Sequence, residues 1–280
     1  MNIQSAILYG AKILGNKFIT SPYLDSEILM TKAINKDKKF IIINPNEKIN
    51  RIDFNFFQKL IKERSKGKPV AYLTNKKFFW NSEFIVTKDT LIPRPDTEMI
   101  VENVLNSTIN KKNLSILDIG VGSGCILLSI LKERKHYRGT GIDISKKCLK
   151  ITKMNAINLD VISQLKLYKT NVDKFNLGKY DLIVSNPPYI KKHIIRYLDK
   201  DVAEFEPKLA LDGGIDGLSE IRKVIKKSSE LIKKNGTFIL EIGFDQKNKV
   251  INLLKKKGFY INSVFKDLGK NDRCINCTKI

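Results

Sequence analysis

Asn186-Pro187-Pro188-Tyr189 is the part of the chain that most plainly speaks of chemistry. It sets a side-chain carbonyl, two residues with no N–H to donate and an aromatic ring in consecutive positions. Two prolines cannot continue a sheet ladder, so the apolar run from Asp181 to Ser185 is predicted to end as a buried strand at Asn186. The stiff loop beyond it presents the Asn186 carbonyl, a fixed backbone carbonyl and the Tyr189 ring in one place. Such a set suits a planar –NH2 group: two acceptors take its hydrogens and the ring lies against its face. The plainer alternative is a Pro-Pro turn after a strand, and the tetrapeptide alone leaves both open.

A second motif weighs on that choice. Ser115 to Asp118 reads as a strand running into Gly120-Val121-Gly122-Ser123-Gly124, and Cys125 to Leu131 follows as a helix. Glycines there permit positive φ and a close approach of backbone to ligand, and the amides of the new helix point into the same crevice. Alone the loop is also compatible with a tight strand-to-helix turn. Tyr137 to Asp143 then reads as a second strand ending in an acid, 19 residues beyond Gly124. A carboxylate at that place in a βαβ unit accepts from both hydroxyls of a ribose. Its competing role is to cap a helix beginning near Ser145. The loop is GxGxG and not GxGxxG, and Asp118 at the end of the first strand is unfavourable for a pyrophosphate. An adenosine ligand without phosphates is therefore expected. S-adenosylmethionine fits, because its sulfonium and ammonium are attracted to nearby carboxylates.

The GxGxG loop, the acid after the second strand and Asn-Pro-Pro-Tyr after the fourth, in that order, resemble a class I S-adenosylmethionine-dependent methyltransferase acting on a planar amino group. Further motifs narrow the resemblance: Gly67-Lys68-Pro69-Val70-Ala71-Tyr72-Leu73-Thr74, Phe78-Phe79-Trp80, Leu91-Ile92-Pro93-Arg94-Pro95-Asp96-Thr97-Glu98, Phe205-Glu206-Pro207 and Gly213-Gly214-Ile215-Asp216-Gly217-Leu218. Taken together the chain resembles the PrmC/HemK family, the release factor glutamine methyltransferases, over nearly its whole length. The resemblance implies methylation of the glutamine side-chain amide in the Gly-Gly-Gln loop of class 1 peptide chain release factors. It implies that Gly120, Val121, Gly122, Ser123, Gly124 and Asp143 hold the methyl donor. Asn186, Pro187, Pro188 and Tyr189 would then hold the glutamine amide, with Asn186, Pro187 and Tyr189 catalytic and Asn186 also beside the donor. Asn171 and Val172 would flank the adenine, where the family usually has an acid often followed by an aromatic. Arg94 and Glu98 either order one wall of the site or support the first turn of a helix capped by Asp96-Thr97.

Several elements must position these groups. Residues from Ser5 to Leu14, Tyr23 to Ile34 and Phe54 to Arg64 carry apolar residues at helical spacing, separated by Pro22 and Pro45. Residues 1–74 are accordingly expected to form a helical domain. It is either a packing cap or, as the resemblance implies, a docking platform for a protein substrate. Residues 75–92 are expected to form a β-hairpin linker turning near Asn81-Ser82-Glu83. From 93 to 280 strands alternate with helices. Strands are expected near 115–118, 137–142, 165–169, 181–185, 236–241, 259–266 and 273–279. The fold class is therefore α/β: a doubly wound, Rossmann-like sheet with ligands at the strands' C-terminal ends, preceded by the helical domain. Lys191 to Gly217 has the length and irregularity of a lid or substrate loop.

Composition narrows the rest. No stretch resembles a signal peptide or an apolar run of about 20 residues, so a cytoplasmic enzyme is expected, with no membrane partner. Four cysteines give no disulfide framework in 280 residues, and the lone Cys274-Ile275-Asn276-Cys277 lacks further ligands, so no metal is expected. His193 reads as a surface residue in a lysine-rich loop. The net charge of +22 raises a nucleic-acid alternative, methylation of an exocyclic amine of adenine or guanine. The excess runs through the whole chain without a basic tail or a separate recognition domain, and no direct nucleic-acid contact is expected.

Overall fold

The computed structural model describes residues 1–280 and divides into two units, the first made of residues 1–76 and 199–205, the second of 77–198 and 206–280. The first unit begins with helices α1 (Ile3–Gly15), α2 (Pro22–Ile34), α3 (Lys38–Ile43), α4 (Arg51–Ser65) and α5 (Val70–Thr74). Asn2, Asp37 and Asn50 cap α1, α3 and α4 by accepting the backbone N–H three residues on, each at 2.8 Å. The apolar faces meet in a core of Ile3, Ile7, Leu14, Leu29, Met30, Phe57 and Ile61. A Cβ at Gly10 would press to 2.8 Å on both Phe57 and Ile61, so glycine is what lets α1 approach α4. One charge is buried there with its partner: Arg64 Nε donates to Asp25 Oδ2 at 2.7 Å, and Ser21 donates to Asp25 Oδ1 at 2.8 Å.

The second unit opens with a hairpin of β1 (Lys76–Phe79) and β2 (Ser82–Ile85), turning at Trp80, whose φ is 53°. The hairpin is shorter than the expected linker, and residues from Val86 to Arg94 form no strand. The chain continues through α6 (Glu98–Ser107), β3 (Ser115–Ile119), α7 (Cys125–Glu133), β4 (Arg138–Asp143), α8 (Lys146–Asn158), β5 (Leu165–Lys169) and β6 (Tyr180–Ser185). After α9 (Lys200–Phe205), which groups with the first unit, come α10 (Ser219–Leu231), β7 (Ile232–Glu241), α11 (Lys247–Lys256), β8 (Phe259–Lys266) and β9 (Asp272–Lys279).

Seven strands form one sheet in the order β5-β4-β3-β6-β7-β9-β8. The first five are parallel, and β9 runs antiparallel to both β7 and β8. Both faces are covered, so the central strands are apolar throughout. On one face Leu117, Ile183, Phe238 and Leu240 pack with Ile221, Val224 and Ile225 of α10 and Val250 and Leu254 of α11. On the other, Ile116, Leu182, Val184 and Ile239 pack with Ile100, Val101 and Val104 of α6 and Ile126, Leu127 and Ile130 of α7. Cys274 and Cys277 fall on opposite faces of β9, as their spacing requires. The strand order reverses between β3 and β6, where an open α/β sheet leaves a crevice for a ligand.

Candidate active site

A cavity of about 680 Å³ lies at that crevice, wholly within the second unit. Its floor is the glycine loop after β3. Gly120 and Val121 donate their N–H groups to the Ile142 carbonyl at 2.9 and 3.0 Å, which ties the loop to the end of β4. Gly120, Gly122 and Gly124 have φ of 81°, 57° and 86°, conformations that L side chains rarely adopt. Their surroundings differ. A Cβ at Gly120 would meet nothing within 4 Å, and at Gly122 only the Gly120 carbonyl oxygen at 3.9 Å. A Cβ at Gly124 would strike Leu128 and Thr152, both at 2.8 Å, and Gly124 does not line the cavity. The first two glycines leave room for a ligand; the third lets α7 pack. Val121 and Ser123 complete this wall.

Asp143 stands beside the loop at the end of β4. Its Oδ2 accepts from the Gly122 N–H at 3.0 Å and its Oδ1 from the Ser145 N–H at 2.8 Å. Burial raises its pKa, and these amides oppose the rise. Ser145, not Asp143, caps α8, its hydroxyl accepting from the Cys148 N–H at 3.2 Å. Asn171 and Val172 line the cavity after β5. Asn171 Oδ1 already accepts from the Asp173 N–H at 3.0 Å, and Val172 packs against the sheet core.

The Asn-Pro-Pro-Tyr loop forms the opposite wall, and the structure brings Asn186, Pro187 and Pro188 to the cavity. Asn186 Nδ2 donates to Thr97 Oγ1 at 3.1 Å. With its nitrogen so engaged, the Asn186 carbonyl oxygen is the end left for a ligand. Tyr189 is placed differently from the expectation. Its ring packs against the sheet core, it does not line the cavity, and its hydroxyl donates to Glu241 Oε1 at 3.3 Å. The glycine-rich segment after the loop explains why. Ile190 accepts from the Gly213 N–H at 2.9 Å, and Cβ atoms at Gly213 and Gly217 would reach the Tyr189 backbone at 2.8 and 2.6 Å. Gln246 Nε2 donates to both the Tyr189 and the Gly217 carbonyls at 3.0 Å. The acceptor loop is thus clamped from behind.

Sequence reasoning did not assign three residues in or near the site: Thr97, which lines the cavity, and Glu241 and Asp118, which do not. Thr97 lines the cavity and makes no cap bond, so the helix-cap reading of Asp96-Thr97 does not hold. Glu241 and Asp118 are buried acids at the ends of β7 and β3; both Asp118 oxygens and Glu241 Oε2 lack hydrogen-bond partners. An acid closing an apolar strand, as Asp143 does, was the available signal. Burial pushes Asp118 up to about 8, helped by the charge of Asp143, and pushes Glu241 up to about 7. Of the undecided pair, Arg94 lines the cavity and pairs with Glu206, which also accepts from the Ile92 N–H at 3.1 Å. Glu98 instead accepts from the Trp80 N–H at 2.8 Å and ties α6 to the hairpin. Cys125 and Cys148 line the cavity, but burial pushes their thiols up to about 12 and about 11, out of nucleophilic range. His193 is exposed and does not line the cavity. No group of three or more His, Cys, Asp or Glu side chains is arranged to hold a metal ion.

Comparison with known proteins bears on this arrangement. A family model for the PrmC N-terminal domain matches residues 5–74, and one for the methyltransferase small domain matches residues 96–203. A release factor glutamine methyltransferase of Caulobacter vibrioides is 35% identical, the match covering 92% of this chain and 89% of that one. This chain belongs to the release factor glutamine methyltransferase family. A member from Buchnera aphidicola subsp. Schizaphis graminum is 38% identical over 90% of this chain and 91% of its own. A bifunctional methyltransferase of Rickettsia bellii is 33% identical over 100% of this chain. The chain spans 55% of that relative, about half the length of the Rickettsia proteins it matches. A methyltransferase from Pyrococcus furiosus, 15% identical, shares the fold with a TM-score of 0.52, over 70% of this chain and 88% of that one. Within the family the matched segments account for both the glycine-loop wall and the Asn-Pro-Pro-Tyr wall of the cavity. No helix is long and apolar enough to cross a membrane.

Proposed function

We propose that this chain transfers a methyl group from S-adenosylmethionine to the side-chain amide nitrogen of the glutamine in the Gly-Gly-Gln motif of class 1 peptide chain release factors. The observation that carries the reading is the Asn186–Thr97 bond, which leaves a carbonyl acceptor facing the same cavity as Asp143 and the glycine loop. The names of relatives at 35% and 38% identity support the protein substrate and do not favour a nucleic-acid one.

The donor fits the residues present. Open space over Gly120 and Gly122 accepts its bulk, and Asp143 is set for the ribose. Asn171 and Val172 flank the adenine in this reading. When bound, the donor supplies a methyl group already activated by a sulfonium. The chain's own work is positioning. A carboxamide nitrogen is a poor nucleophile because its lone pair is delocalised. Asn186 and the stiff Pro187 take its hydrogens, aim the nitrogen and stabilise the positive charge that develops on it. Pro188 holds the turn, and Tyr189 fixes the loop from behind. The proton leaves to water after transfer.

In the same reading residues 1–74 are the docking domain for the release factor, 75–92 the linker and 93–280 the methyltransferase domain. Phe18, Ile43 and Ile52 on the first unit, 94%, 75% and 81% exposed, are apolar surface such a partner would cover. The reaction belongs in the cytoplasm, where its partner works. The test is incubation with labelled S-adenosylmethionine and either release factor or nucleic acid. Label on the Gly-Gly-Gln glutamine is expected; label on nucleic acid alone overturns the reading.

A further inference from the structure

Helix α10 turns one stripe of residues toward the cavity. Ser219, Glu220, Lys223 and Val224 line it, at the spacing of a single helical face. They reach it because α10 precedes the parallel strand β7, which sets the helix N-terminus at the C-terminal end of the sheet, where the crevice lies. The same stripe runs along the segment after β5. Lys227, one turn beyond Lys223, donates to Asn176 Oδ1 at 2.7 Å, and Val172 packs against the core that Ile221 and Val224 share. Glu220 and Lys223 thus line the cavity together with Asn171 and Val172, on the side where the adenine lies in the functional reading above. They are joined to each other: Lys223 Nζ donates to Glu220 Oε1 at 2.7 Å. That bond does not exhaust either group. Glu220 Oε2 and two of the three N–H bonds of Lys223 remain for a ligand.

Resting on that reading of the donor, we propose that the Glu220–Lys223 pair reads the edge of the adenine and determines the base specificity of donor binding: the carboxylate accepts from the exocyclic amine, and the ammonium donates to the neighbouring ring nitrogen N1. An acceptor and a donor side by side are the complement of that edge, which offers an N–H and a bare nitrogen in adjacent positions. Hypoxanthine presents the reverse, a carbonyl oxygen beside an N–H. It would set oxygen against carboxylate and N–H against ammonium. The pair is neutral as a whole, so it discriminates without adding net charge to the cavity.

The segment after β5 leaves this work to another element. Asn171 Oδ1 is drawn to the Asp173 N–H at 3.0 Å, and Val172 has no polar side-chain group. The other acids that line the cavity are engaged elsewhere. Asp143 holds the amides of Gly122 and Ser145, Asp89 pairs with Lys147 at 3.1 Å, and Asp212 Oδ1 accepts from the Gly214 N–H at 2.8 Å. Glu220 is the carboxylate that α10 carries to the Asn171 side. Lys223 is kept charged beside it: its hydrogen bond to Glu220 raises its pKa against the effect of burial, and the nearby charge of Asp173 adds to the rise.

The test is calorimetric titration of the full chain with S-adenosylhomocysteine and with S-inosylhomocysteine, which differ only at this edge of the base. The parent is expected to bind the adenine compound at least about tenfold more tightly, the scale of one unmatched hydrogen bond. Glu220→Ala and Lys223→Met should each bring that ratio close to one. Exchanging the two residues, Glu220→Lys with Lys223→Glu, keeps an ion pair on the same turn of α10 and reverses its order. The exchange should abolish or invert the preference, whereas a pair that only supports the helix would leave it as it was. Equal binding of the two compounds by the parent overturns the proposal, as does an unchanged ratio in Glu220→Ala or in the exchanged variant. Should Glu220→Ala fail to fold, the parent's ratio and the exchanged variant decide. A parent that discriminates as expected but leaves release factor unlabelled keeps the edge reading and removes the substrate reading. A parent that labels release factor yet binds both compounds equally removes this proposal alone.

Discussion

Gly122 donates its backbone N–H to Asp143 at 3.0 Å, so the acid at the end of β4 is also the brace of the glycine loop. The two oxygens of Asp143 hold one amide each, from Gly122 and Ser145, and the lone pairs that remain face the cavity.

Asp143→Ala is therefore expected to weaken donor binding for two reasons, a lost ribose acceptor and a loosened loop. Charge-assisted hydrogen bonds are worth about 1.5–3 kcal/mol, and the loss should be at least one such bond. Asp143→Asn, which keeps one acceptor oxygen, should lose less. Calorimetric titration with S-adenosylmethionine decides: unchanged affinity in a folded Asp143→Ala variant rejects the assignment.

Asn186→Ala is expected to affect turnover far more than donor affinity. Loss of a positioned polar partner commonly costs about 10²- to 10³-fold in the transition state. Single-turnover transfer to release factor at saturating donor measures it. A rate within a few-fold of the parent would reduce the Asn-Pro-Pro-Tyr loop to a simple turn.

Gly217→Ala probes the clamp without touching the cavity. Its φ of 77° resists an L side chain, and the new Cβ would meet the Tyr189 carbonyl oxygen at 2.6 Å and Gln246 Nε2 at 2.7 Å. Donor binding should survive while transfer falls at least about tenfold, in the manner of a misplaced acceptor. Equal losses of donor affinity and transfer would mean that the clamp does not act on the acceptor loop alone.

Asp118 gives a prediction about stability. Its pKa in the folded chain is about 8, against 3.8 for a free aspartate. The folded state thus keeps a proton that the unfolded state releases, and its contribution to stability is lost as pH rises through that interval. Each unit of such a shift is worth about 1.4 kcal/mol at most. Asp118→Asn removes the titration, so the difference in melting temperature, variant minus parent, should grow from pH 5 to pH 8.5. A difference independent of pH would show that Asp118 does not stay protonated in the fold.

Much of the fold was legible because buried parallel strands are short apolar runs ended by polar punctuation. The run before Asn186 and the one before Gly120 became β6 and β3 almost to the residue. Helix α3 was missed because Phe40-Ile41-Ile42-Ile43 has no periodicity to read, and only the Asp37 cap signals it. Asn186, Pro187, Gly120, Gly122 and Asp143 were visible as candidates because their types carry geometry in themselves. Thr97 and Glu241 were not, since their significance is which residues they face, and that depends on strands far apart in sequence. Tyr189 was assigned to the wrong side of its loop for the same reason: nothing local to the tetrapeptide announces that Gly213 and Gly217 will press on its backbone.

The order β7-β9-β8 has a consequence for assembly. The strand later in the chain is the interior one, so β8 has no place in the sheet until β9 has paired on both its sides. The two must dock on β7 as a preformed antiparallel hairpin, or β9 must insert between partners already waiting. Either route leaves the long β7 edge open for a time, with its N–H and C=O groups free to template another chain. A chain stopped before Asp272 would lose two strands from the sheet instead of one, and aggregation through that bare edge would be its fate.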